Sequence, residues 1–95
     1  MAHEIVWSEN AREDFREIVN YLIDEWADDF AEKFSNQISK TLELLEVHPL
    51  LGMTTSDFSS IRKIAINRKY ILYYMVVNQQ IIVVNIYQNS REKKQ

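Results

Sequence analysis

The amino-acid sequence predicts an α+β fold of order β-α-α-β-β-β, a small antiparallel sheet packed against an N-terminal helical hairpin. Three observations predict it. Up to Leu45 the apolar residues recur every three or four positions, the repeat of a helix face. From Ile61 onward they alternate or run unbroken, the repeat of strands. The only proline, Pro49, and the only glycine, Gly52, fall between the two regimes. A chain of 95 residues has room for one core, so residues 1–95 are read as one domain whose site lies on a surface or in a shallow groove.

Residues 3–7 form the first expected strand, with Ile5, Val6 and Trp7 as strand-favouring side chains before a break at Ser8. Ser8 is a suitable N-cap for a first helix over 9–26, whose apolar stripe runs Ala11, Phe15, Ile18, Leu22 and Trp26. Asp28 is a candidate cap for a second helix over 28–47, striped by Phe30, Ala31, Phe34, Ile38, Thr41, Leu42 and Leu45. So short a connection folds the two helices into an antiparallel hairpin that turns both stripes to one surface. Proline disfavours helical geometry in the residue before it, so His48-Pro49 ends the second helix. Leu50 to Ser60 is read as loop. Strands follow at 61–66, 70–77 and 81–87, turning at Asn67 to Lys69 and at Asn78 to Gln80, and 88–95 is a basic tail. Because 70–77 is apolar on both faces, it belongs in the middle of the sheet.

Composition excludes several function classes. Without cysteine there is no disulfide framework and no thiolate chemistry, which fits a cytoplasmic protein. A single glycine cannot build a phosphate-cradling loop, and no apolar run approaches the ~18 residues of a membrane span. No basic-then-apolar leader opens the chain, so no secretory signal is expected. His3 and His48 stand in no metal-ligand pattern, and Asp24-Glu25 and Asp28-Asp29 read as solvated helix-terminal charge; no cofactor or metal is expected. The net charge of −3 conceals a partition: residues 1–60 carry −9 and residues 61–95 carry +6.

Ser8 to Asp14 at the opening of the first helix, Tyr21-Leu22-Ile23 followed by Trp26, and Leu45 to Gly52 at the helix-to-sheet junction form an ordered set of short signatures. Arg62-Lys63, Tyr70-Ile71-Leu72-Tyr73-Tyr74 and the terminal Ser90-Arg91-Glu92 complete it. In order and spacing the sequence resembles the RelE/ParE superfamily of type II toxin–antitoxin toxins, most closely its ParE-like, plasmid-stabilisation branch, over essentially the whole chain. The resemblance implies a toxin neutralised by a cognate antitoxin, with which it forms a hetero-oligomer, and which alone would bring it to operator DNA. ParE-like members inhibit DNA gyrase; RelE-like members are ribosome-dependent mRNA endonucleases.

Cleavage of RNA at the 2′-hydroxyl needs a base, cations for the pentavalent phosphate and a donor for the leaving oxygen. RelE-like ribonucleases place an arginine just after the tyrosine that opens the central strand and a tyrosine in a C-terminal helix. Here the first position is Ile71, and no tyrosine follows Tyr87. The resemblance therefore favours gyrase inhibition, with no catalytic residue assigned; Arg62 and Arg91 would be phosphate ligands only in a ribonuclease. An inactive homologue serving as a binding or repressor partner is the third reading.

The expected target-binding residues are Arg62, Lys63, Arg68, Lys69, Tyr70, Arg91 and Lys93, a cationic surface for a gyrase, DNA or RNA target or a dock for an acidic antitoxin segment. Solvated turn and tail charge is the simpler reading for Lys93 and Lys94. Strand tyrosines are more often packing than base-stacking platforms. Trp7 and Trp26 are read as core. A sheet this apolar with two helices is expected to leave an apolar groove or an unpaired edge for an antitoxin segment.

Overall fold

The structure, a computed structural model, describes residues 2–57 and 60–89. Its elements are β1 (Glu4–Trp7), α1 (Glu9–Glu25), α2 (Asp28–Val47), β2 (Met53–Thr54), β3 (Ile61–Ala65), β4 (Tyr70–Val77) and β5 (Gln80–Gln88). The five strands form one sheet in the order β1-β5-β4-β3-β2, with the doubly apolar β4 at its centre. All pairs are antiparallel except β1, which lies parallel to β5 and sets Glu4 against Gln80. Two features depart from expectation. Met53–Thr54, read as loop, is a two-residue edge strand on β3, and β1 makes the sheet mixed rather than wholly antiparallel.

The parallel seam has a geometric cause. The two helices run out and back, so the His3 N–H donates to the Glu46 carbonyl at 3.0 Å and the chain leaves α2 beside the start of β1. Pairing of β1 with β5 stops at Trp7 opposite Val83, which leaves the later part of β5 without a strand neighbour on that side. Ser8 and Asp14 supply the missing partners. The Ser8 N–H donates to the Val83 carbonyl, and its hydroxyl donates to the Val84 carbonyl at 2.9 Å. The same hydroxyl accepts from the Ala11 N–H at 3.0 Å, so one side chain caps α1 and moors it to the sheet. The Asp14 carboxylate accepts from the Ile86 N–H at 3.0 Å and from the Asn85 amide at 3.2 Å.

Between the helices only Trp26 and Ala27 are non-helical. Ala27, extended at φ −172°, is the N-cap of α2, and Asp28, expected as that cap, is its first residue. Asp28 and Asp29 in the first turn still favour the positive end of the helix dipole. The hairpin covers one sheet face. Ala11, Leu22, Ala31, Phe34, Ile38, Leu42 and Leu45 bury themselves against Tyr70, Leu72, Tyr74, Ile81, Val83 and Ile86. Aromatic rings cross this interface in a chain: Trp7 meets Phe15 at 5.6 Å, Phe15 meets Phe34 at 5.8 Å, and Phe34 meets Tyr70 at 5.1 Å between centroids.

The junction between the helical and strand halves is held by Tyr74. Its hydroxyl donates to the Pro49 carbonyl at 2.8 Å and accepts from the buried Gly52 N–H at 2.8 Å. Arg62 reinforces it, its Nη1 donating to the Gly52 carbonyl at 2.7 Å and to the Leu50 carbonyl at 3.3 Å. A Cβ at Gly52 would lie 2.7 Å from the Tyr74 hydroxyl oxygen and 2.8 Å from the Lys63 carbonyl, so only glycine fits.

Tyr74→Phe is expected to cost about 1–3 kcal/mol, because a buried N–H loses its acceptor and a carbonyl its donor. Gly52→Ala is expected to destabilise as well, by steric displacement of the same junction. Chemical denaturation midpoints at constant m-value measure both. Burial pushes the phenols of Tyr70 and Tyr74 above their ordinary pKa. A raised folded-state pKa means that the unfolded chain ionises first. Stability is therefore complete below about pH 10 and falls as pH climbs through the folded values. Thermal unfolding at rising alkaline pH should show that decline, reduced in Tyr74→Phe relative to its own value at neutral pH.

Candidate functional surface

The expected target-binding residues do not share one face. Arg62 sits on the helix side of the sheet, opposite Tyr74, with its guanidinium engaged by the two carbonyls of the junction. Lys63, the next residue along a pleated strand, points to the opposite face, across from Tyr73. Arg68 and Lys69 are exposed in the turn between β3 and β4. Tyr70 is a core side chain, 7% exposed, beneath that turn. Arg91, Lys93 and Lys94 lie outside the described residues.

The β3–β4 turn is locally fixed. The Asn67 side-chain oxygen accepts from the Lys69 N–H at 2.8 Å and the Tyr70 N–H at 3.0 Å, the closure that makes asparagine a turn residue. Its amide donates to the Gln37 side chain at 2.8 Å, tying the turn to the middle of α2. The Asn89 N–H donates to the Lys69 carbonyl at 2.6 Å and holds the end of β5 to the same turn. Arg68 and Lys69 are thus presented by a braced loop rather than a free one.

Beside that turn lies a groove of about 370 Å³, walled by Tyr21, Trp26 and Phe30 from the tip of the helical hairpin and edged by Lys33, Arg68 and Lys69. Phe34 and Tyr70 floor it, and no carboxylate is among its lining residues. Trp26 packs on Phe30 with centroids 5.4 Å apart, and the Lys69 ammonium stands 5.6 Å from the Trp26 ring centroid, a cation–π contact. Trp26, read as core from its place in the stripe, is 55% exposed, and Phe30 is 49% exposed. The helix ends at Glu25, and Trp26, its C-cap at φ −124° and ψ −88°, has left helical geometry, so its ring does not follow the buried stripe. Trp26 and Phe30, which spacing places on the apolar stripes, are surface residues, and Tyr21 beside them is exposed as well.

The other sheet face carries no described helix. Ile61 and Lys63 of β3, Ile71, Tyr73 and Met75 of β4, and Tyr87 of β5 line it, with Tyr73 and Tyr87 meeting edge to face at 5.5 Å. A second exposed apolar group, Leu44, Val47, Leu50, Leu51 and Met53, gathers at the far end of α2 and on the edge strand β2. Among the described residues no cluster of His, Asp and Glu could hold a metal ion, and no helix is long and apolar enough to cross a membrane.

A family model for the ParE toxin of the type II toxin–antitoxin system, parDE, matches residues 5–92. No curated protein matches the chain. Among solved structures, it is similar to the chromosomal ParDE toxin–antitoxin system from P. aeruginosa, with a TM-score of 0.76 at 17% identity, covering 92% of this chain and 96% of that one. It is similar also to the YoeB dimer from Staphylococcus aureus, with a TM-score of 0.68 at 18% identity, covering 94% and 99%. The E. coli DinJ–YafQ toxin–antitoxin complex gives 0.66 at 13% identity, covering 96% and 97%. At such identities these likenesses establish a shared fold.

Trp26→Ala is expected to cost less than about 1 kcal/mol in folding stability, because its ring is largely in water already, whereas Phe34→Ala should cost about 3–5 kcal/mol. Urea denaturation of the two variants side by side separates the surface aromatic from the core one.

Proposed function

Because the chain belongs to the ParE toxin family of type II toxin–antitoxin systems, we propose that it arrests growth by inhibiting DNA gyrase in the cytoplasm and is neutralised by a cognate antitoxin. The toxin identity is the family's; the choice of gyrase over RNA rests on one position. Where RelE-like ribonucleases carry an arginine after the tyrosine that opens the central strand, this chain has Ile71, paired between Ala65 and Tyr87 on the open face. An alkyl side chain can neither move a proton nor stabilise a pentavalent phosphate. Among the described residues Lys63 is the one cation on the strands of that face, and Arg62 faces the other way with its guanidinium on the junction carbonyls. That set is poor for transesterification and sufficient for a binding protein.

The two-residue edge strand β2 with the aliphatic group at the end of α2, and the open face on the other side of the sheet, are surfaces suited to an amphipathic antitoxin segment that packs by its apolar side or adds a strand. Solved relatives of this fold include toxin–antitoxin complexes, which supports a hetero-oligomer here. Contact with operator DNA would come through the antitoxin.

Antitoxin-free protein is expected to abolish supercoiling by purified gyrase while leaving ribosome-programmed mRNA intact. Untouched supercoiling together with cut mRNA that becomes uncut in Arg91→Ala would replace this reading with the endonuclease. If induced expression fails to slow growth and both assays are negative, the chain acts only as a binding or repressor partner.

A further inference from the structure

We propose that the groove at the tip of the helical hairpin is the target-docking surface of the toxin, and that it receives an acidic protein segment bearing an apolar anchor. The inference rests on the toxin reading above and adds the place and chemistry of the contact. Interface energy concentrates in Trp, Tyr and Arg side chains that an incoming partner can desolvate together. Tyr21, Trp26, Phe30 and Arg68 supply such a set in one groove of about 370 Å³, half-exposed and ready to be covered.

Charge decides the occupant. Lys33, Arg68 and Lys69 edge the groove and no carboxylate lines it, so a single partner carboxylate is drawn to that edge, while Asp14, Glu17, Asp29 and Glu32 line the neighbouring hollows. A nucleic acid fits less well, for two reasons. The Lys69 ammonium already stands over the Trp26 ring and Phe30 packs against it, which crowds the ring against a stacking base. Exposed Asp24, Glu25, Asp28 and Asp29 flank the groove in sequence, and an extended polyanion would run against them where a single acidic segment need not.

The groove is also set apart from the surface assigned to the antitoxin. Phe30 lies in the first turn of α2, whereas Leu44 and Val47 lie toward its other end, about 20–25 Å away along the helix. The aliphatic end adjoins a strand edge and suits a long segment that folds as it binds. The aromatic end is compact, cation-edged and braced by the Asn67 turn, and so suits a preorganised contact.

The test compares wild type with Trp26→Ala and with the triple charge reversal Lys33→Glu, Arg68→Glu, Lys69→Glu, each with an unchanged circular dichroism spectrum. Growth arrest on induction is read first, since it does not presuppose which target is hit, and co-purification with the product of the neighbouring antitoxin reading frame is read beside it. The expected result is loss of growth arrest in both variants, with antitoxin co-purification retained. Where gyrase is the target, its inhibition should weaken at least about thirtyfold, the size of a hot-spot truncation. Variants that arrest growth like wild type overturn the proposal, as does loss of antitoxin binding with toxicity intact. Binding of a single-stranded oligonucleotide that quenches Trp26 fluorescence and is lost in the triple variant would also overturn it. If wild type leaves gyrase untouched while both variants lose growth arrest, the docking surface stands and the gyrase reading falls.

Discussion

The phenol of Tyr74 stands where the chain changes from helices to strands, and both halves depend on it. A chain that leaves a helix at a proline exposes carbonyls and N–H groups that regular structure no longer pairs. The central strand delivers one hydroxyl to that place, where it serves as donor to Pro49 and acceptor from Gly52. Arg62, one strand away, takes the Leu50 and Gly52 carbonyls. With the junction satisfied, α2 can end beside β1 and the sheet can begin at β2. The same bonds hold Arg62 Nη1 at the junction.

The elements that repeat regularly were legible in the sequence. Ser8 announces α1 because an N-cap needs an oxygen there, Pro49 ends α2 because its ring excludes helical geometry before it, and the doubly apolar Tyr70–Val77 stretch has nowhere to lie except mid-sheet. What was not legible depends on distant partners. Two residues, Met53 and Thr54, are too few to carry a period. The direction of β1 is settled by its neighbour β5, whose residues lie more than seventy positions away. Trp26 continues the spacing of the α1 stripe in the sequence, but the helix ends one residue earlier, and the ring meets water. The groove it lines was invisible as well, since Arg68 and Lys69 show their charge in the sequence but not the aromatic rings across from them.

The charge partition takes on a different meaning in three dimensions. Positive charge gathered in the second half of the sequence suggests a single basic surface, yet a pleated strand separates Arg62 and Lys63 onto opposite faces, and the β3–β4 turn carries Arg68 and Lys69 elsewhere. The cations that come together do so with aromatic residues of the acidic half. Linear charge asymmetry thus located the cations, while the fold chose their company.

The seam between β1 and β5 bears on how the protein is made. Glu4 pairs with Gln80, so the first strand to be synthesised waits for the last of the described strands. Helical hairpin contacts are local and form quickly, whereas a pairing of such long sequence separation closes late. A ribosome building this chain would release most of it with Trp7 and the apolar side of α1 still without their strand partner. Conformational maturity should therefore lag behind translation, leaving an interval in which the apolar side of α1 is open before the fold is complete.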